Sequence, residues 1–242
     1  MKLDISDIAD DFPAYRVAVI VATGLTIPAE RPAALDDEIG QRSLQARERW
    51  AGYELSEIPG IAVWRKAYKQ FGIKKTSYRC SVERLVKNAL AGRELPAINP
   101  FVDAYNAVSL AHVFPAGADD LDQVTGDLAF RYAREGDSFI ALGRAGEGED
   151  PPKPGEVVYA DAAKVLCRRW NWYQDHRSPV SPATKRAVLT IQDNGMGSAG
   201  GEGDLAAAVD DAVGLIGTWC GGRCAVAYAS ASEPSVELQV SS

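Results

Sequence analysis

Residues 95–106 read Leu-Pro-Ala-Ile-Asn-Pro-Phe-Val-Asp-Ala-Tyr-Asn, and they fix the clearest element boundary in the chain. Pro96 has no backbone N–H and interrupts any helix that precedes it. Asn99 followed by Pro100 is a helix start: the amide can cap free N–H groups, and the ring presets φ at the first helical position. At about 100° per residue, Asn99, Asp103 and Asn106 then share one stripe of the helix, and Phe101, Tyr105 and Val108 take the other side. Asparagine is a poor choice inside a helix, so a carboxylate flanked by two amides reads as a group that orients a hydroxyl, an amine or nearby backbone. A plain solvated face is the competing reading.

Upstream of this start the chain is mostly helical. Residues 16–22 are short and rich in Val and Ile, which reads as a buried strand. A Pro-containing loop follows at 28–32. Residues 34–55 read as a polar helix with Leu44 and Trp50 among its few apolar anchors. Trp64, Tyr68 and Phe71 recur at helical spacing before Gly72, a good stop. Ser81 is placed to cap the next helix, with Val82, Leu85, Val86 and Ala89 as its apolar face.

Downstream the period changes to that of strands. Residues 128–133 and 138–142 read as a hairpin turning through Glu135-Gly136-Asp137. Further strands are expected at 156–160, 165–169, 186–192, 225–229 and 236–240, with a helix over 205–218. The Gly-rich stretch 195–203 lacks the phosphate-loop arrangement and reads as a flexible surface loop, although a helix N-terminus after glycines can also cradle a phosphate. Helices in the first half and strands in the second make the class α+β, with helices packed on a mainly antiparallel sheet.

The composition narrows the chemistry. The 242 residues carry a net charge of −7, yet the charge is uneven. Residues 61–93 hold nine Lys/Arg against Glu83 alone, and residues 164–186 hold six against Asp175 alone, so the remainder carries −20. Two basic segments in an acidic body make a local phosphate-attracting surface if the fold joins them, and two solvated helix faces if it does not. The four cysteines and two histidines are not spaced as a zinc site, so no metal is expected and the cysteines read as reduced. Residues 1–11 are acidic, unlike a secretory leader, and the longest apolar run, 17–22, is too short for a bilayer. The expected location is cytoplasmic, without membrane contact. No G-x-S-x-G elbow or nucleophile–base pattern appears, which argues against a covalent hydrolase.

Residues 166–177, Leu-Cys-Arg-Arg-Trp-Asn-Trp-Tyr-Gln-Asp-His-Arg, mix guanidinium forks with aromatic faces. Such groups bind phosphate and stack on bases, and Asn171, Gln174 and Asp175 add polar atoms able to position a water. An edge strand with ordinary ion pairs and packed tryptophans is the alternative.

Several ordered motifs carry a family resemblance. Residues 64–72 with 78–83 resemble the opening motif of stand-alone B3/B4 proteins, and 95–106 is similar to the I-N-x-x-V-D-x-x-N segment of the phenylalanyl-tRNA synthetase β subunit. Residues 120–122, 126–128, 131–143, 154–161 and 166–174 continue the match, which spans about 52–230. The resemblance implies a B3/B4-like fold over 52–242, with the strand and helix of 1–51 packed on the same unit. It implies ester hydrolysis of a misacylated tRNA in trans, by a positioned water and with no cofactor; a non-catalytic module binding RNA or an amino acid is the alternative. The partner implied is the aminoacylated acceptor end of tRNA. The synthetase pattern P-L-H-A-F-D appears here as residues 115–120, with Gly117 in place of the histidine, and the glutamate of M-G-G-E falls on Asp175, or on His176 one register later. The expected catalytic residues are Asp175, Asn106 and Asp103, and the substrate-binding residues are Asn99, Gly117, Arg169, Trp170, Asn171 and Gln174. Lys74, Lys75, Arg79 and Arg168 are expected to hold RNA phosphates.

Overall fold

A computed structural model describes residues 1–74, 78–196 and 201–240. The class is α+β, built on two sheets rather than one. The strands of the six-stranded sheet run in the order β10 (Ser235–Glu237), β1 (Lys2–Asp4), β4 (Leu128–Tyr132), β5 (Val157–Ala160), β6 (Val165–Arg168) and β7 (Tyr173–Gln174). The four-stranded sheet runs β3 (Ala116–Asp120), β8 (Arg186–Asn194), β2 (Tyr15–Thr23) and β9 (Arg223–Ser230). Every pairing is antiparallel except β1 with β4.

β2 explains why residues 16–22 read as an apolar run. It is hydrogen-bonded on both edges, to β8 and β9, and is covered on both faces, so neither side needs polar residues. The inner face of β2 begins with Tyr15, which meets Trp64, Phe130 and Trp170 edge-to-face at centroid distances of 6.2, 5.6 and 4.8 Å. This aromatic cluster is the mortar between the sheets. Each such buried ring contributes about 2–3 kcal/mol by area alone.

The outer face of the four-stranded sheet carries α5 (Pro100–His112) and α6 (Gly201–Cys220), and α2 (Ala33–Arg49) and α4 (Ser81–Leu90) pack on α5. α3 (Pro59–Gln70) closes the open side of the aromatic cluster through Trp64, and the short α1 (Ser6–Ala9) packs on β4. α5 starts as its sequence dictates: the Asn99 side chain accepts from the Val102 N–H at 3.1 Å, with Pro100 next.

Local expectations failed in three places. α2 ends at Arg49, and Leu44 is 55% exposed; Leu35, Ile39 and Ala46 are the buried face instead. Ser81 is the first residue of α4, not its cap, and its hydroxyl has no hydrogen-bond partner among the described residues. Residues 138–142 form no strand: β4 pairs with β5, and the Glu135-Gly136-Asp137 turn is closed by a bidentate Arg131–Asp137 ion pair at 2.7 and 2.8 Å. Of the Gly-rich stretch, residues 197–200 lie outside the described residues. Among the described residues no helix is long and apolar enough to cross a membrane.

Candidate functional site

A cleft of about 240 Å³ opens where α5, the free edge of β3 and the β6–β7 turn converge. Its floor is β3 and β8. Gly117 and Asp119, two residues apart, share one face of β3, and Thr190 faces Gly117 across the pair. Thr190 and Gln192 are polar yet only 1% and 3% exposed, and a hydrogen-bond chain satisfies them. Tyr68 Oη donates to Asn171 Oδ1 at 2.9 Å, Asn171 Nδ2 to Gln192 Oε1 at 3.2 Å, and Gln192 Nε2 to Thr190 Oγ1 at 3.3 Å. Thr190 Oγ1 donates in turn to the Gly117 carbonyl at 3.3 Å. The chain runs in one direction, from the Tyr68 hydroxyl to the Gly117 carbonyl.

Strained backbone presents Asn171 to this chain. Arg169 and Trp170 both have positive φ, 47° and 67°, without being glycine. Such residues cost about 1–3 kcal/mol each and persist only where packing over-determines them. Here the Trp170 N–H donates to the Val157 carbonyl at 2.6 Å, the Ser81 N–H donates to the Asn171 carbonyl at 3.0 Å, and the Trp170 indole fills the aromatic core.

Asp119 is the one acidic or basic side chain among the described residues lining the cleft. It is 3% exposed. Ser178 Oγ and Gln174 Nε2 donate to its Oδ1 at 2.7 and 3.2 Å. Burial outweighs those donors and the pull of Lys164, and pushes the carboxyl up to about 7. Three hydrogen-bonding atoms of the lining, Ser81 Oγ, Tyr159 Oη and Trp170 Nε1, are buried with no hydrogen-bond partner among the described residues. The Cys167 thiol on the cleft wall is pushed up to about 12 by burial, so it stays a thiol and is no nucleophile.

Of the residues expected from sequence, Asn106, Gly117, Trp170, Asn171 and Gln174 do line the cleft. Trp170 does so as a core residue, fully buried, with no face free for a base. Asn99, Asp103, Arg169 and Asp175 do not line it. Asn99 is spent on the helix cap and on the Val180 carbonyl, at 3.0 Å. Asp103 is engaged beside the cleft, accepting from the Ile98 N–H and from Arg31 Nε, each at 3.0 Å. Asp175 is 0% exposed; it accepts from the Ile140 N–H and pairs with Arg177 at 2.7 Å, so it braces a turn away from the cleft. The Arg169 guanidinium lies 3.7 and 4.4 Å from the Tyr78 and Trp172 ring centroids, covered by both.

The two basic segments do not merge. In 164–186, Lys164, Arg168, Arg177 and Arg186 are ion-paired with Asp161, Glu156, Asp175 and Asp122. Arg168 is 1% exposed and therefore offers nothing to a phosphate. The first segment keeps its charge outside. Arg65, Lys69, Lys74 and Arg79 surround a cavity of about 150 Å³ behind the Tyr68–Asn171 wall of the cleft, with Glu83 bonded to Arg65 and Arg79. Lys75 lies outside the described residues.

A family model described as the B3/4 domain matches residues 63–193. The chain belongs to the B3/4 domain family. Three curated relatives are phenylalanine–tRNA ligase β subunits from Bordetella pertussis, Bordetella parapertussis and Bordetella bronchiseptica. Each is 27% identical over 155 residues, or 64% of this chain. The match spans only 17% of each relative's length. Among solved structures, an N-terminal fragment of the phenylalanyl-tRNA synthetase β subunit from Pyrococcus horikoshii aligns over 92% of this chain and 49% of its own, at 14% identity and a TM-score of 0.46. The B3/4 match begins in α3 and ends in β8, so it contains the polar residues of the cleft from Tyr68 to Gln192.

Sequence reasoning missed Asp119, Thr190 and Gln192. A signal for the last two existed: in residues 186–192 the apolar Leu189 and Ile191 alternate with Thr190 and Gln192, the mark of a strand with one polar face. Ala116-Gly-Ala-Asp-Asp120 carried none, because those residue types are depleted in strands.

Proposed function

We propose that this B3/4 protein acts in trans on misacylated tRNA, hydrolysing the aminoacyl ester through a positioned water. The observation that carries the reading is the cleft itself. It is small, walled by aromatic and aliphatic side chains, floored by fixed amides, and without a polarised nucleophile. Such a site suits a single aminoacyl group, with the Asn106, Asn171 and Gln174 amides orienting a water at the ester carbon. The basic cavity beyond Tyr68 supplies charge for the acceptor-strand phosphates, and the ligase relatives support the choice of tRNA.

One observation favours a non-catalytic reading. Gly117 leaves no imidazole in the cleft, and neither His112 nor His176 lines it. Both readings face one experiment: deacylation of a panel of mischarged tRNAs by the full chain and by Asn106→Ala. Turnover of at least one member, reduced in the variant with tRNA binding retained, supports hydrolysis. Binding without turnover of any member leaves the module reading in its place.

A further inference from the structure

We propose that Asp119 is the counter-ion for a primary ammonium group on the ligand of the cleft. The inference rests on the aminoacyl reading above and adds what the pocket recognises. A buried carboxylate is ordinarily matched by a cation, because taking it out of water without one costs several kcal/mol. The other buried acids at hand have theirs: Asp161 has Lys164, Glu156 has Arg168, and Asp175 has Arg177. Asp119 forms no ion pair among the described residues, and both its side-chain donors, Ser178 and Gln174, reach the same oxygen, Oδ1. The remaining oxygen has no donor among them. Asp119 itself lines the cleft.

Among the described residues lining the cleft, none supplies a cation to Asp119. β8 offers Val188 and Thr190, α5 offers Tyr105, β5 Tyr159, β6 Cys167 and β7 Gln174. Burial holds Tyr105, Tyr159 and Cys167 far above neutrality, so all three are uncharged there. Lys164 and Asp175 act on Asp119 from a distance with opposite signs, each already engaged in its own pair. A carboxyl poised near neutrality ionises at little cost once an ammonium arrives, and it repels a ligand phosphate or carboxylate at the same place.

The ammonium has two possible sources, the α-amine of an aminoacyl group or an amine in its side chain. The experiment uses non-hydrolysable adenosine 3′-amides of tyrosine and lysine, each with a free and an acetylated α-amine, and measures binding to the full chain by calorimetry at pH 7. The free α-amine is expected to bind about 30-fold tighter than its acetylated form, and Asp119→Asn to remove that difference without weakening the acetylated probe. The Asn side chain keeps an acceptor for Ser178 and Gln174, so the fold is preserved. If α-acetylation of the lysyl probe costs nothing while Asp119→Asn still costs about 30-fold, the side-chain amine is the partner and the proposal stands. Unchanged affinity in Asp119→Asn overturns the proposal and leaves the aminoacyl reading intact. Failure of every probe to bind overturns both.

Discussion

Ser178 Oγ donates to Asp119 Oδ1 at 2.7 Å, yet the Asp119 carboxyl still sits near neutrality, because burial outweighs the hydrogen bond. A folded-state value of about 7 lies above the unfolded value near 3.8. The folded protein therefore binds the extra proton, and Asp119 lowers stability progressively as pH rises from about 4 to about 7, with a constant deficit above. Asp119→Asn is expected to stabilise the protein by on the order of 3 kcal/mol at pH 8 and not at all near pH 4. Urea unfolding at the two pH values checks this; an equal effect at both refutes it.

Arg168 is a brace. Its Nε and Nη2 donate to Glu156 at 3.1 and 2.8 Å, and its Nη1 donates to the Asp150 carbonyl at 2.9 Å, all behind the sheet. Arg168→Ala leaves the buried Glu156 only its longer pair with Arg169, at 3.5 Å, and is expected to cost about 3 kcal/mol of stability. The salt dependence of tRNA binding by the folded protein is expected to stay as in the parent. A reduced salt slope with normal stability would restore the phosphate-contact role.

The exposed lysines of the other basic segment should behave in the opposite way. Lys69 and Lys74 are exposed at the cavity between α3 and α4. Lys69→Ala and Lys74→Ala are each expected to lower the salt slope of tRNA binding by about 1, with stability changed by less than about 0.5 kcal/mol. Binding measured across a salt series, with the melting temperature as control, decides it.

Gly117 sets the width of the cleft. A Cβ built there meets nothing within 4 Å, and the backbone is not left-handed, so a side chain fits without strain. Gly117→Val is expected to leave stability unchanged or raise it by about 0.5–1 kcal/mol, since valine suits a strand better. It narrows the space above Thr190 and Asp119, so binding of the tyrosyl probe falls while smaller aminoacyl probes are retained. A loss of stability would show that the cleft is not the open space at that position.

The sequence by itself determined the elements whose signals are local. The Asn99–Pro100 start of α5 rests on one side chain and one ring, and β2 on an unbroken apolar run that only a fully covered strand tolerates. The ordered motifs from Trp64 onward carried the family. Tertiary structure decided the site. Asn99, Asp103 and Asn106 share a helix stripe, but α2 and its preceding loop bring Arg31 onto Asp103, and only Asn106 is left facing the cleft. Arg168 and Arg169 are neighbours of Asn171, but two left-handed residues turn the chain so that the arginines go inward and the asparagine goes to the floor. Asp119 acquired its character only when β3 paired with β8 and buried it without a cation, and desolvation of that kind depends on what surrounds a residue in space, which no local pattern records.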